Sequence, residues 1–211
     1  MQPSPPDVVR LFPTFVSQSR LEPACYEPLN RDLLAHIETL MRAGDGTHTG
    51  ATWQSGHTLQ QTPELSALIS HVEAAVSNVL AFLKVVEAPF RITGCWVNVL
   101  GPGAAHAMHS HPNNFLSGVY YVQTHEGADT INFHDPRPQT AIIRPPVTAL
   151  TAYNTDQVVV QVSDGTLLVF PAWLPHSVPV NMSDRPRVSV SFNVMFTTYD
   201  TTMSPPLWGE S

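Results

Sequence analysis

The sequence predicts a mainly β protein, a sandwich or barrel of short strands backed by two N-terminal helices. After residue 89, six short segments rich in Val, Thr and aromatic residues are separated by Gly, Pro, Asn or Asp. Before that point, two stretches carry apolar residues at helical spacing. The 20 prolines among 211 residues are about twice the usual share, which a helical bundle would not tolerate.

In chain order, Val8–Phe15 reads as a short strand ending near Pro13. Asn30–Arg42 reads as a helix with Leu33, Leu34, Ile37, Leu40 and Met41 on one stripe. The Gly-rich run AGDGTHTG after it reads as a loop. A second helix is predicted from about Pro63 to Val86, with Thr62 as N-cap, Pro63 at the first helical position, and a stripe from Leu65 to Leu83. The predicted strands are Arg91–Leu100, Leu116–Gln123, Thr130–His134, Gln157–Val162, Thr166–Phe170 and Arg187–Phe196. A tail from Tyr199 is expected to be irregular.

Composition narrows the function. Ten basic residues, of which Lys84 is the single lysine, face seventeen acidic ones, for a net charge of −7. That balance argues against a nucleic-acid or anionic-membrane surface. The N-terminus lacks a basic region followed by an apolar core, and no stretch is read as a membrane span, so a soluble cytoplasmic protein is expected. Cys25 and Cys95 are expected to be buried free thiols.

The chemistry concentrates in AHAMHSH, residues 105–111. In an extended chain His109 and His111 project from one face, and two imidazoles on one face suit a mononuclear transition-metal site. His176, 65 residues beyond His111 and just after the strand TLLVFP, is the best third ligand, whereas His106 reads as a loop residue. RVSVSFNV places Arg187, Ser189, Ser191 and Asn193 on one strand face and Val188, Val190, Phe192 and Val194 on the other. An inward row of guanidinium, hydroxyls and amide calls for an anion, and arginine offers a fork matched to a carboxylate. Trp53, Trp96, Phe115 and Trp173 are candidates for an apolar pocket wall.

Four motifs in order, HSHPNNFLSGVYYV, GADTINFHDPR, DGTLLVFPAWLPHSVPVN and RPRVSVSFN, resemble the 2-oxoglutarate- and Fe(II)-dependent dioxygenases, in particular a small subgroup related to the prolyl hydroxylases. The resemblance covers roughly residues 90–197, and the opening LFPTF with the two helices is also similar. It implies a double-stranded β-helix (jelly roll, cupin-like) core over residues 90–197. Residues 1–89 would support that core and 198–211 would form a tail, all within one domain. It implies Fe(II) held by His109 and His176, with 2-oxoglutarate and O2 as co-substrates. Arg187 would hold the distal carboxylate of 2-oxoglutarate, helped by Ser189, Ser191 or Asn193, and Tyr121 would bond the same molecule while Tyr120 points away. Trp96 and Asn98 would line the pocket, and Asp135 and Arg137, in the subgroup's DPR motif, are candidate substrate-binding residues.

The wider superfamily carries a carboxylate where this sequence has His111. A third neutral imidazole leaves the iron its full dipositive charge. It also occupies the position that halogenases of this superfamily leave vacant. No side-chain acid, base or nucleophile beyond the metal centre is expected. The implied reaction is oxidation of a C–H bond in a small or amino-acid-derived substrate, with release of succinate and CO2. Two alternatives stay open at this point: a three-histidine iron dioxygenase that does not use 2-oxoglutarate, and a non-catalytic barrel that binds a small acid. A homodimer is the base-rate expectation.

Overall fold

The structure is a computed structural model that describes residues 7–85, 88–137, 143 and 145–200. The strand expected at Val8–Phe15 does not form. Val8, Val9, Leu11 and Phe12 are exposed with no strand beside them, and β1 starts later, at Ser17–Arg20. Helix α1 spans Pro23–Ala43, with proline in its first turn; residues 23–29 are mostly exposed and carry no apolar stripe, so the sequence pattern shows the helix only from Asn30. It ends at Gly44, whose left-handed φ of +79° lets its N–H turn back to the Met41 carbonyl.

The loop expected at residues 43–50 instead contains half of a hairpin, β2 (Thr47–Thr49) with β3 (Thr52–Gln54), and Trp53 from β3 is buried. The second helix opens with a 3-10 turn, Pro63–Leu65, and continues as α2, Ser66–Phe82. Thr62 does not cap it; its hydroxyl donates to the Leu59 carbonyl. Val86 lies outside the described residues. Pro63–Phe82 has the length and apolar content to cross a membrane, with a mean hydropathy of 1.4. Here, however, Leu65, Leu68, Val72, Val76 and Val79 are buried beneath a sheet.

Eight strands follow: β4 (Phe90–Leu100), β5 (His106–His109), β6 (Leu116–Gln123), β7 (Thr130–His134), β8 (Gln157–Gln161), β9 (Thr166–Pro171), β10 (His176–Val178) and β11 (Arg187–Phe196). Six of them fall within a residue of where the sequence places them, whereas the short strands β5 and β10 lie in segments read as loops. They form two antiparallel sheets. The larger runs β1-β9-β6-β11-β4-β3-β2 and the smaller runs β5-β10-β7-β8. A short helix, α3 (Thr197–Asp200), follows β11, and the tail beyond residue 200 lies outside the described residues.

Period-two alternation sorts the large sheet into two faces. Val97, Val99, Tyr120, Val122, Val188, Val190 and Phe192 join Leu33, Ile37 and the α2 stripe in one core behind the sheet. Tyr120 fixes α1 to β6: its hydroxyl donates to Asn30 Oδ1 at 2.7 Å, and Asn30 Nδ2 donates to the Val122 carbonyl at 2.7 Å. The opposite face meets the small sheet through Val119, Tyr121, Ile131, Phe133, Leu168 and Phe170. This is the double-stranded β-helix that the resemblance implied, and the site lies between its two sheets.

Gly118 in β6 is required by that packing. A Cβ there would stand 2.2 Å from Phe192 Cζ and 2.4 Å from the Leu168 carbonyl oxygen. Gly118→Ala is therefore expected to lower unfolding stability by about 2–3 kcal/mol, as overpacking of a filled core does. Urea denaturation reads this directly, and an unchanged midpoint would contradict the packing.

Candidate active site

His109 closes β5, His111 follows two residues later, and His176 opens β10 directly opposite His109. Their candidate ligand atoms all lie within 4.8 Å of one another, and the Nε2 atoms of His111 and His176 are 3.3 Å apart. Two of the rings are oriented by backbone carbonyls. His109 Nδ1 lies 2.8 Å from Ala107 O, and His176 Nδ1 lies 3.0 Å from Leu174 O. With the proton on Nδ1 donated to these carbonyls, each Nε2 lone pair faces the centre, the tautomer a metal needs. His111 is held by its backbone N–H on Ala172 O and by Trp96, whose ring centroid is 5.8 Å away.

The histidines open onto a cavity of about 620 Å³, a volume suited to small ligands. At one end lies Arg187, 2% exposed, with Nη1 donating to Thr130 O at 2.7 Å and its guanidinium carbon 4.9 Å above the Tyr121 ring. Arg187 Nε, the Tyr121 hydroxyl and Asn98 Oδ1 are buried without hydrogen-bond partners. Unpaired buried polar groups cost roughly 1–3 kcal/mol each, so three of them around one cavity call for a ligand that pairs with them. Burial raises the Tyr121 pKa, against the opposing pull of the Arg187 charge, so the phenol stays protonated and able to donate. Beside Tyr121, a buried guanidinium with a free N–H suits a carboxylate. The donor set therefore fits both a divalent metal and an anionic keto acid.

Burial also lowers the pKa of His111, His176 and His106. It pushes His111 down to about 3, and repulsion from His176, His109 and His57 adds to this. His176 is pushed down to about 4, the Leu174 hydrogen bond opposing burial, and His106 to about 4, with repulsion from His109 and Arg187. All three values lie below the ordinary 6.5, so the unfolded chain takes up protons first as the pH falls. Stability is full above about pH 6.5 and drains below it. The thermal midpoint of metal-free protein is expected to drop between pH 6.5 and 5, above the range of ordinary carboxylates. A flat midpoint across that window would contradict the burial.

The structure brings most of the expected site residues together. Trp96, Asn98, Tyr121, Arg187, Ser189, Ser191 and Asn193 all line the cavity. Ser191 Oγ accepts from Asn98 Nδ2 at 3.0 Å, and Asn193 Oδ1 accepts from Ser117 Oγ at 2.7 Å. Asn193 is misassigned as a co-substrate residue. Six residues of extended strand separate it from Arg187, about 20 Å at ~3.3 Å per residue, too far for one small diacid to touch both.

Asp135 and Arg137 are not among the residues lining the cavity. They pair with each other outside it, with Arg137 Nη2 2.6 Å from Asp135 Oδ2. Trp53 lies in the core behind the sheet, Phe115 packs on Phe196, and Trp173 is exposed, so of the four candidate wall aromatics Trp96 alone lines the cavity. Cys25 proves exposed, while Cys95 is buried, its thiol pushed up to about 12 by that burial.

Gln54 and His57 reach the cavity unannounced. His57 stacks on Trp96 with centroids 4.8 Å apart, and its Nε2 lies 2.6 Å from Gln54 Nε2. No spacing rule links them to the triad; they arrive through β3 and the segment after it. His106, expected in a loop, is in β5 and lines the cavity.

The jelly roll presents three converging imidazoles and a buried arginine to one cavity, an arrangement suited to a single metal ion and an acidic ligand beside it. Residues 94–193, nearly half the chain and most of the jelly roll, match the family model described as "Putative 2OG-Fe(II) oxygenase". The matched stretch carries the three histidines and Arg187, and the family it describes is that of the 2-oxoglutarate- and Fe(II)-dependent oxygenases. No curated protein matches the sequence.

Among solved structures the chain is similar to the non-haem alpha-ketoglutarate-dependent epimerase SnoN from nogalamycin biosynthesis. That similarity has 16% identity and a TM-score of 0.68, over 94% of this chain and 87% of that one. A prolyl-4-hydroxylase from Pseudomonas putida shares 16% identity at a TM-score of 0.60, over 85% of this chain and 92% of that one. HygX from Streptomyces hygroscopicus, crystallised with nickel and 2-oxoglutarate, shares 12% identity at 0.62, over 87% of this chain and 84% of that one. At such identities the likeness concerns the fold.

Proposed function

We propose that this oxygenase binds Fe(II) through His109, His111 and His176 and 2-oxoglutarate through Arg187, Tyr121 and Ser189, and that it oxidises a small molecule rather than a macromolecule. The observation that carries this reading is the pairing of the triad with buried, partnerless groups on Arg187 and Tyr121 in the same cavity. The bound iron and keto acid would supply O2 activation and the oxidising equivalents, with succinate and CO2 as co-products. What the chain contributes is position, charge and dryness.

Hydrogen bonds from Nδ1 to Ala107 O and Leu174 O orient the rings of His109 and His176 with Nε2 toward the centre. Thr130 O and the Tyr121 ring hold the guanidinium of Arg187 in place, so its fork is fixed before a carboxylate arrives. Leu100, opposite Arg187 on β4, and Ile131, next to Thr130, supply apolar lining at that end. Toward the other end, Trp96, His57, Gln54, Asn114 and Asn193 form a surface of neutral polar and aromatic groups for the substrate. No lining side chain other than Arg187 carries a formal charge at pH 7 when the histidines are neutral. A cavity of about 620 Å³ holds a small metabolite beside the keto acid.

The test is succinate formation from 2-oxoglutarate by Fe(II)-loaded protein under air, with and without small-molecule candidates. Turnover that requires both iron and keto acid supports the proposal. Oxygen uptake without any keto acid would replace it with a dioxygenase that binds its substrate directly. A redox-silent protein with tightly held zinc would replace it with a binding barrel.

A further inference from the structure

His106 lines the cavity without belonging to the triad, and neither of its ring nitrogens has a hydrogen-bond partner among the described residues. Strict alternation would put His106 and His109, three residues apart, on opposite faces of β5. The pairing with β10 prevents this. His176 lies opposite His109 and Val178 opposite His106, so three steps on β5 meet two on β10, and an irregularity between them absorbs the difference. Both imidazoles therefore face the cavity, with ring centroids 6.4 Å apart.

The register also fixes which way His106 is displaced from the metal site. Along β10, His176 pairs with Phe133 and Ser177 with Asn132, so β7 runs on in the same direction toward Thr130. Thr130 O is the carbonyl that holds Arg187. His106 thus sits one step, about 6.6 Å of extended strand, from the triad toward the guanidinium, and the Arg187 charge reaches it. A five-carbon keto diacid with its head on the metal and its tail on Arg187 has to pass this ring.

We infer that His106 is a third co-substrate residue, its imidazole N–H donating to the distal carboxylate of 2-oxoglutarate alongside Arg187 and so helping to select a dicarboxylic keto acid. This rests on the 2-oxoglutarate reading above. Calorimetric titration of Zn(II)-loaded protein tests it without any turnover. The ligands are 2-oxoglutarate and oxalate; oxalate chelates the metal in the same way but has no distal carboxylate.

For His106→Ala, the Kd for 2-oxoglutarate is expected to rise roughly tenfold or more, as loss of a hydrogen bond to a charged group does. The Kd for oxalate should stay at the wild-type value. His106→Gln keeps an N–H donor and is expected to recover most of the loss. An unchanged 2-oxoglutarate affinity in His106→Ala overturns the inference. So does an equal loss for both ligands, which would mean that the ring acts through the metal or the cavity shape. Wild-type protein that binds oxalate but not 2-oxoglutarate would overturn the co-substrate reading itself, and this inference with it.

Discussion

His176→Ala is expected to leave a folded protein that retains no stoichiometric iron and forms no succinate above background. Removing a residue that merely orients a metal-bound histidine costs roughly 10–100-fold in affinity, and loss of a ligand should exceed that. His176 is 5% exposed and sits between β5 and β7, where it pairs with both His109 and Phe133. Its removal therefore opens the centre of the triad rather than its rim. Metal analysis after dialysis, together with the succinate assay, reads the effect. A variant that keeps one iron per chain and wild-type turnover would exclude His176 from the site.

Arg187→Ala is expected to act on the co-substrate and spare the metal. The guanidinium is buried, one arm is committed to Thr130 O, and its Nε has no partner. Truncation removes a paired charge and strands the incoming carboxylate in an apolar end. A KM for 2-oxoglutarate raised roughly 10²–10³-fold is expected, the size of one or two hydrogen bonds between charged groups. Arg187→Lys supplies a point charge but not a planar fork, so it should recover part of the loss and not all of it. Iron content should match wild type in both variants. If KM stays put while iron is lost, Arg187 supports the metal side and the assignment fails.

Much of the jelly roll was legible because its strands alternate. Val188, Val190, Phe192 and Val194 had to face the helices, which left Arg187, Ser189, Ser191 and Asn193 toward the cavity, and the structure keeps that division. Tyr120 and Tyr121 separate for the same reason. The triad was legible from the two-residue spacing of His109 and His111 and from the position of His176 just beyond β9, although the short strands β5 and β10 that carry His109 and His176 were not. The β2–β3 hairpin was hidden: its strands are three residues each and set among glycines, too short to show a period.

His106 was hidden by a different cause. A bulge defeats alternation, and a bulge leaves no composition signal in a four-residue strand. Distance along a strand was overlooked for Asn193, which shares a face with Arg187 but not its neighbourhood. Asp135 and Arg137, chosen by resemblance alone, satisfy each other instead of the cavity. His57 and Gln54 were not findable, since they reach Trp96 only through tertiary packing.

The most direct measurement is diffraction at the iron absorption edge on crystals loaded anaerobically with Fe(II) and 2-oxoglutarate. One anomalous peak should appear, bound by the Nε2 atoms of His109, His111 and His176 at roughly 2.1 Å, with the keto acid reaching from it to Arg187. A peak held by only two of these histidines, or a keto acid whose distal carboxylate lies away from Arg187, would contradict it.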